Sequence, residues 1–161
     1  GGAPPAEVDT KLLIPAELVA NNKVKGAIEG EKMKVVSRSG GDLENQGGFM
    51  DLSSGEQLWW THMKPGDTLV LEVPTALKGR FRVTGSFCRN ADYGRHRITI
   101  GDVTKEIDFY DSKLHWEKFE LGDVQAKDGK VTIRVEALEK NPAAKDGNMF
   151  GLDYLLFEPI P

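Results

Sequence analysis

Within 161 residues, 25 acidic side chains outnumber 21 basic ones, for a formal net charge of −4 with both signs interspersed. That length fits one domain able to bury an apolar core without staples, and the lack of a basic face excludes nucleic acid as the natural partner. The single cysteine, Cys88, excludes an internal disulfide and a cysteine-based zinc cluster. No apolar run approaches the ~18 residues of a membrane span, so no membrane partner is expected. No signal peptide is present, which a processed form would also show, and composition leaves the compartment open.

In chain order, residues 1–26 come first. They carry Gly1-Gly2, Pro4-Pro5 and Pro15 without a sustained period, and read as an inter-domain linker, N-terminal extension or expression remnant. Their apolar cluster Leu12-Leu13-Ile14 is available to dock on the body. From residue 27 to 161, short alternating runs are separated by Gly, Asp, Asn and Pro, the pattern of an antiparallel sandwich or barrel. In Thr68–Val73, Leu69, Leu71 and Val73 share a face; in Arg80–Phe87, Phe81, Val83 and Phe87 point one way while Arg80, Arg82, Thr84 and Ser86 point the other. The same alternation groups Ile98 with Ile100, then Val131, Ile133, Val135 and Ala137, and finally Leu152, Tyr154 and Leu156. Turn chemistry lies between these runs at Lys64-Pro65-Gly66-Asp67, Leu77-Lys78-Gly79, Gly101-Asp102 and Lys127-Asp128-Gly129. The expectation is an all-β, antiparallel two-sheet jelly-roll β-sandwich of roughly eight or nine strands, with Cys88 a buried, inert thiol in a strand-like run.

Several short motifs recur in a set order: Ile28-Glu29-Gly30-Glu31, Gly47-Gly48, Gly66 to Pro74, Lys78 to Thr84, Trp116, Asp128 to Ile133, and Leu152-Asp153-Tyr154-Leu155. This order resembles carbohydrate-binding module families six and thirty-five, of the galactose-binding-like sandwich type, over residues 27–158. Ala91-Asp92-Tyr93-Gly94, Ile107-Asp108-Phe109-Tyr110 and Gly151-Leu152-Asp153-Tyr154 look like jelly-roll accessory domains appended to secreted bacterial glycosidase-like proteins. The resemblance implies a non-catalytic module, secreted or periplasmic, that binds an oligo- or polysaccharide and accompanies a catalytic domain of the same parent protein. A structural sandwich that packs on such a domain without binding sugar is the alternative.

Glu29 and Glu31 read as two carboxylates on one face of a strand, a costly pairing unless a cation or basic side chain intervenes. Calcium, which takes roughly six to eight oxygens, meets that demand, and the resembling families hold a structural calcium there with the last-strand Asp, here Asp153, as a further ligand. Solvation, or pairing with Lys32, Lys34 or Arg38, is the competing account.

For the sugar, Trp116 matches the position at the loop end of the sandwich where family six modules place a stacking ring, so glycan binding through loop-end aromatics is expected, against the alternative of a core or rim indole. Trp59-Trp60 is adjacent on a strand, so one ring enters the core and the other reaches the opposite face; Trp60 joins the ligand candidates with Tyr93 and Tyr110. The resembling modules carry a ligand-binding Asn two residues before the final Asp, but that position is Gly151, and the nearest Asn, Asn148, is a candidate rim contact. No catalytic residue is assigned. His62, His96 and His115 lack metal-ligand spacing, and no nucleophile elbow or phosphate-cradling loop is present. Asp108, Asp111 and Glu117 lie near one another along the chain, leaving a paired-carboxylate glycosidase as the one enzymatic possibility.

Overall fold

The computed structural model describes residues 24–48 and 52–161, and the Leu12-Leu13-Ile14 segment lies outside the described residues. Eleven strands run in the order β1 (Ile28–Glu29), β2 (Lys34–Arg38), β3 (Asp42–Gly47), β4 (Glu56–Thr61), β5 (Thr68–Glu72), β6 (Arg80–Arg89), β7 (Arg95–Ile100), β8 (Val103–Asp108), β9 (His115–Gln125), β10 (Thr132–Ala137) and β11 (Phe150–Pro159). The only helical segments among the described residues are two 3-10 turns, Gly30–Lys32 and Ser53–Gly55. None of the helices is long and apolar enough to cross a membrane.

Two antiparallel sheets stack face to face. One has the order β3-β4-β11-β6-β9, with β1 also paired to β11; the other has the order β2-β5-β10-β7-β8. Period-two burial explains why each strand sits where it does. In β10, Ile133, Val135 and Ala137 are buried while Thr132 and Arg134 are exposed, and they meet Leu71 and Leu69 of β5 on one side and Ile100, Ile98 and His96 of β7 on the other. The opposite sheet answers with Phe87 and Phe150, whose rings lie 5.8 Å apart, and Phe109 caps them at 5.2 Å from Phe87. Burying apolar area on this scale, at roughly 25 cal/mol per Å², is what holds the two sheets together.

Three sequence expectations change. The strand count is eleven rather than eight or nine: β2 and β3 are edge strands, β2 exposed throughout and β3 packing only Leu43 against the core, so neither carries a sustained apolar alternation. Glu29 and Glu31 do not share a strand: β1 stops at Glu29, and Glu31 lies in the 3-10 turn. Gly30 packs so closely on the Leu152 carbonyl that a Cβ has no room, and the chain turns there. Finally, Leu152, Tyr154 and Leu156 do not share a face. A register shift between Leu152 and Tyr154 inserts Asp153 as an extra residue, so Leu155 and Phe157 follow Leu152 onto the core side, opposite Gly85 and Val83.

Candidate functional site

One level of the outer face of the six-stranded sheet reads, strand by strand, Glu44, Trp59, Gly151, Cys88, Trp116. Glu44 is opposite Trp59, Trp59 is opposite Gly151, and Cys88 is opposite Trp116. Gly151 and Cys88 adjoin, since a Cβ at 151 would lie 3.0 Å from the Cys88 Cβ. Two indoles therefore flank a floor of two small residues, three strand spacings or roughly 14 Å apart.

Gln57 fills that floor. Its amide is fully buried, and its Oε1 stands 2.6 Å from where a Gly151 Cβ would be. Oε1 accepts the Trp116 indole N–H at 2.9 Å, and Nε2 donates to Gln46 Oε1 at 2.8 Å and lies 3.5 Å from the Tyr93 hydroxyl. Trp116 is 4% exposed and Tyr93 3%. Burial pushes the Cys88 thiol up to about 12, against the opposing hydrogen bonds from Tyr93 and Gln57, and raises the Tyr93 phenol as well. The thiol is inert at neutral pH.

The expected ligand residues are thus redistributed. Trp116 and Tyr93 are buried rather than open platforms, with Gln57 lying across Gly151 between them. Trp60 is the core member of its pair: it is fully buried and donates its indole N–H to the Gly40 carbonyl at 3.0 Å. Asn148 is not at an open rim either. It adopts positive φ and is buried, with Nδ2 donating to the Leu138 carbonyl at 3.1 Å and Oδ1 packed against Gly94. Asn tolerates that backbone better than most residues, so it pins the loop before β11. Tyr110 is half-buried, and its carbonyl accepts from Arg89 Nη2 at 2.7 Å. Trp59, which the sequence reading passed over for Trp60, is the half-buried indole on the outer face. The signal was present in Gln57-Leu58-Trp59-Trp60-Thr61, where the polar residues share the parity of Trp59 and Leu58 that of Trp60.

The carboxylates near Tyr110 form ion pairs. Arg89 Nη1 lies 3.0 Å from Glu117 and 3.9 Å from Asp111, and His115 Nε2 lies 2.8 Å from Asp111. The His115 hydrogen bond, more than any other influence, holds the Asp111 carboxyl below the usual range. A glycosidase general acid needs the reverse, a carboxyl kept protonated. Asp108 is committed to structure, accepting from the Tyr110 N–H at 2.9 Å and the Asn141 amide at 2.8 Å.

A second feature lies on the same sheet, where β4 leaves β11 and β1 takes over. At the Asp153 bulge, Ser53 joins two buried carboxylates: its N–H donates to Asp153 Oδ1 and Oδ2 at 3.1 and 3.3 Å, and its hydroxyl to Glu29 Oε2 at 2.8 Å. Glu31 stands close by, half-buried, with Oε1 shielded from solvent and lacking a hydrogen-bond partner. Burial foremost, with repulsion from Glu29 and Glu56, pushes its carboxyl up to about 7, against the opposing backbone N–H. Among the described residues no group of three or more His, Cys, Asp or Glu side chains is arranged to hold a metal ion; Asp51 lies outside them. The donors that do gather here are hard oxygens of the kind calcium takes.

No protein-family model matches the chain, and no curated protein matches it. Solved structures match its fold. Paenibacillus xanthan lyase superposes with a TM-score of 0.73 at 15% identity, over 86% of this chain and 13% of that one. The CBM36-1 domain of a multidomain xylanase from the hindgut metagenome of Trinervitermes trinervoides gives 0.54 at 17% identity, over 84% of this chain and 97% of that domain. The insecticidal crystal protein Cry2Aa gives 0.55 at 13% identity, over 83% and 21%. The chain therefore has the β-sandwich fold of carbohydrate-binding modules and spans a small part of the lyase. The likeness at these identities is one of fold, and the crystal protein shares it, so function rests on the site.

Proposed function

We propose that this chain is a non-catalytic module that binds an oligo- or polysaccharide on behalf of a catalytic domain in the same extracellular or periplasmic protein, and that calcium fastens its β1–β11 edge. The observation that carries this reading is Trp59, a half-buried indole on the outer sheet face beside Gly151 and the exposed Glu44. It lies in a sandwich that matches a complete carbohydrate-binding module of a xylanase. Flat rings stack on the C–H faces of pyranoses while neighbouring polar groups hold the hydroxyls, and few contacts of this kind give a modest affinity. Native-gel affinity electrophoresis through soluble arabinoxylan, galactomannan, mixed-linkage β-glucan, xanthan and polygalacturonate tests it. Retardation by at least one polymer is expected, and free migration through all five would refute sugar binding.

Glu29, Glu31 and Asp153 would hold the calcium. It would neutralise carboxylates that burial otherwise penalises and so tie the first strand to the last.

A second reading, a sandwich that packs against its catalytic domain and binds no sugar, draws on the closure over Trp116 and on edge strand β2. There Val35 and Val36 are 47% and 53% exposed. Free migration in all five gels is its prediction.

A further inference from the structure

Of the two indoles in the outer-face row, Trp116 is buried and Trp59 is partly exposed. Trp116 is locked by Gln57, whereas Trp59 is half-buried and packs against the core cluster, with its indole N–H shielded from solvent and meeting no acceptor. Trp60 and Trp116 both have that N–H bound. The cross-strand neighbour of Trp59 on β11 is Gly151, which adds no side chain beside it, and its neighbour on edge strand β3 is Glu44, which is exposed.

The polar groups around it define the chemistry. Asp42, Glu44 and Gln46 alternate along β3 on the outer face, opposite Thr61, Trp59 and Gln57. Asp42 is tied to His62 at 2.8 Å and Gln46 to Gln57, which leaves Glu44 as the exposed acceptor beside the ring. Neither β3 nor β4 contains a lysine or arginine, while Asp42 and Glu44, on the outer face, are acidic. A flat apolar ring beside a carboxylate acceptor suits a ligand with a C–H face and hydroxyl donors, and the surrounding negative charge opposes a ligand that carries carboxylates of its own.

Resting on the glycan-binding reading above, we infer that Trp59 is the stacking platform, that Glu44 is its hydroxyl acceptor, and that this face takes neutral polysaccharide rather than uronate-rich polymer. The site lies on the sheet face at the β3 edge, not at the loop end where Trp116 was expected to stack.

The test uses the same gels with Trp59→Ala and Glu44→Ala, together with acrylamide quenching of tryptophan fluorescence in the native protein. Wild type is expected to be retarded by a neutral polymer and not by polygalacturonate, with that polymer shielding the fluorescence from quencher. Trp59→Ala is expected to weaken retardation roughly tenfold or more, and Glu44→Ala to weaken it by a smaller factor. Wild-type binding with unchanged affinity in a folded Trp59→Ala protein overturns the assignment and leaves the glycan reading standing. Tighter binding to polygalacturonate overturns the preference for neutral ligands. Should Trp59→Ala fail to fold, full-affinity binding by Glu44→Ala together with unaltered quenching on addition of the bound polymer overturns the site. No binding to any polymer refutes the glycan reading and the site together.

Discussion

The indole N–H of Trp116 donates to the side-chain oxygen of Gln57 across 2.9 Å, although their strands, β9 and β4, are separated by two others. The contact exists because Gly151 leaves the intervening surface bare. It converts the ring that the sequence marked for sugar into part of a buried polar network, in which losing one member leaves its partner unsatisfied.

Trp116→Ala should therefore behave as a core truncation, lowering unfolding free energy by roughly 3–5 kcal/mol. Trp116→Phe keeps most of the packing but strands Gln57 Oε1, and should cost about 1–3 kcal/mol. Urea unfolding measures both. A Trp116→Ala protein as stable as wild type would show an exposed ring instead.

Gly151→Asn tests the same network from below. The new side chain has to displace Gln57, and overpacking of this kind costs roughly 1–3 kcal/mol. Combining it with Gln57→Ala vacates the space, so the double variant should be more stable than the sum of the two single losses. Simple additivity in a double-mutant cycle would contradict the close approach.

His96 predicts acid sensitivity. It is fully buried among Trp60, Phe109 and Phe150, with Nε2 3.0 Å from the Met149 carbonyl. Burial lowers its pKa from 6.5 to about 4, although hydrogen bonds to the backbone of Met149 and Asn148 pull the other way. The unfolded chain takes up a proton that the folded one refuses, so this contribution is complete above pH 6.5 and is lost as pH falls toward 4, on the order of 3 kcal/mol. His96→Gln, which retains a donor for Met149, should flatten that part of a stability-versus-pH curve.

Glu31 predicts the opposite slope in chelator. Its carboxyl is raised from 4.5 to about 7, so the folded state holds a proton that the unfolded chain has released, and stability declines as pH rises through that interval. Calcium should reverse the loss above pH 7 and have little effect near pH 5, because its ligands must be ionised. Melting temperatures with calcium and with EGTA at the two pH values, accompanied by metal analysis of the starting protein, measure this. Glu31→Gln should be the more stable protein in chelator at neutral pH and should lose the calcium response. Equal melting temperatures in metal-free preparations would leave the acidic edge without its ion.

The sandwich itself was legible because burial on one sheet face writes period two into the chain. Leu69 and Leu71, Ile98 and Ile100, and Ile133 and Val135 all face inward as their alternation required. The edge strands were less legible, since β2 is exposed along its whole length and β3 nearly so, and neither is forced to alternate. The last strand misled for a different reason. The Asp153 bulge adds one residue to the count, and beyond it Leu155 takes the core position assigned to Tyr154 and Leu156.

The site divides in the same way. Sequence alone determined that Trp59 and Trp60 must point to opposite faces, that acidic residues gather near both ends of the body, and that position 151 carries no side chain, because parity and residue identity are local properties. Which indole stays open was decided only by tertiary structure. It depends on Gln57 lying across the bare Gly151 to reach Trp116, just as the acidic edge depends on Ser53 joining Asp153 to Glu29. Those partners are separated in sequence by 24 to 100 residues, and no local pattern encodes a contact that exists only after the strands have been laid side by side.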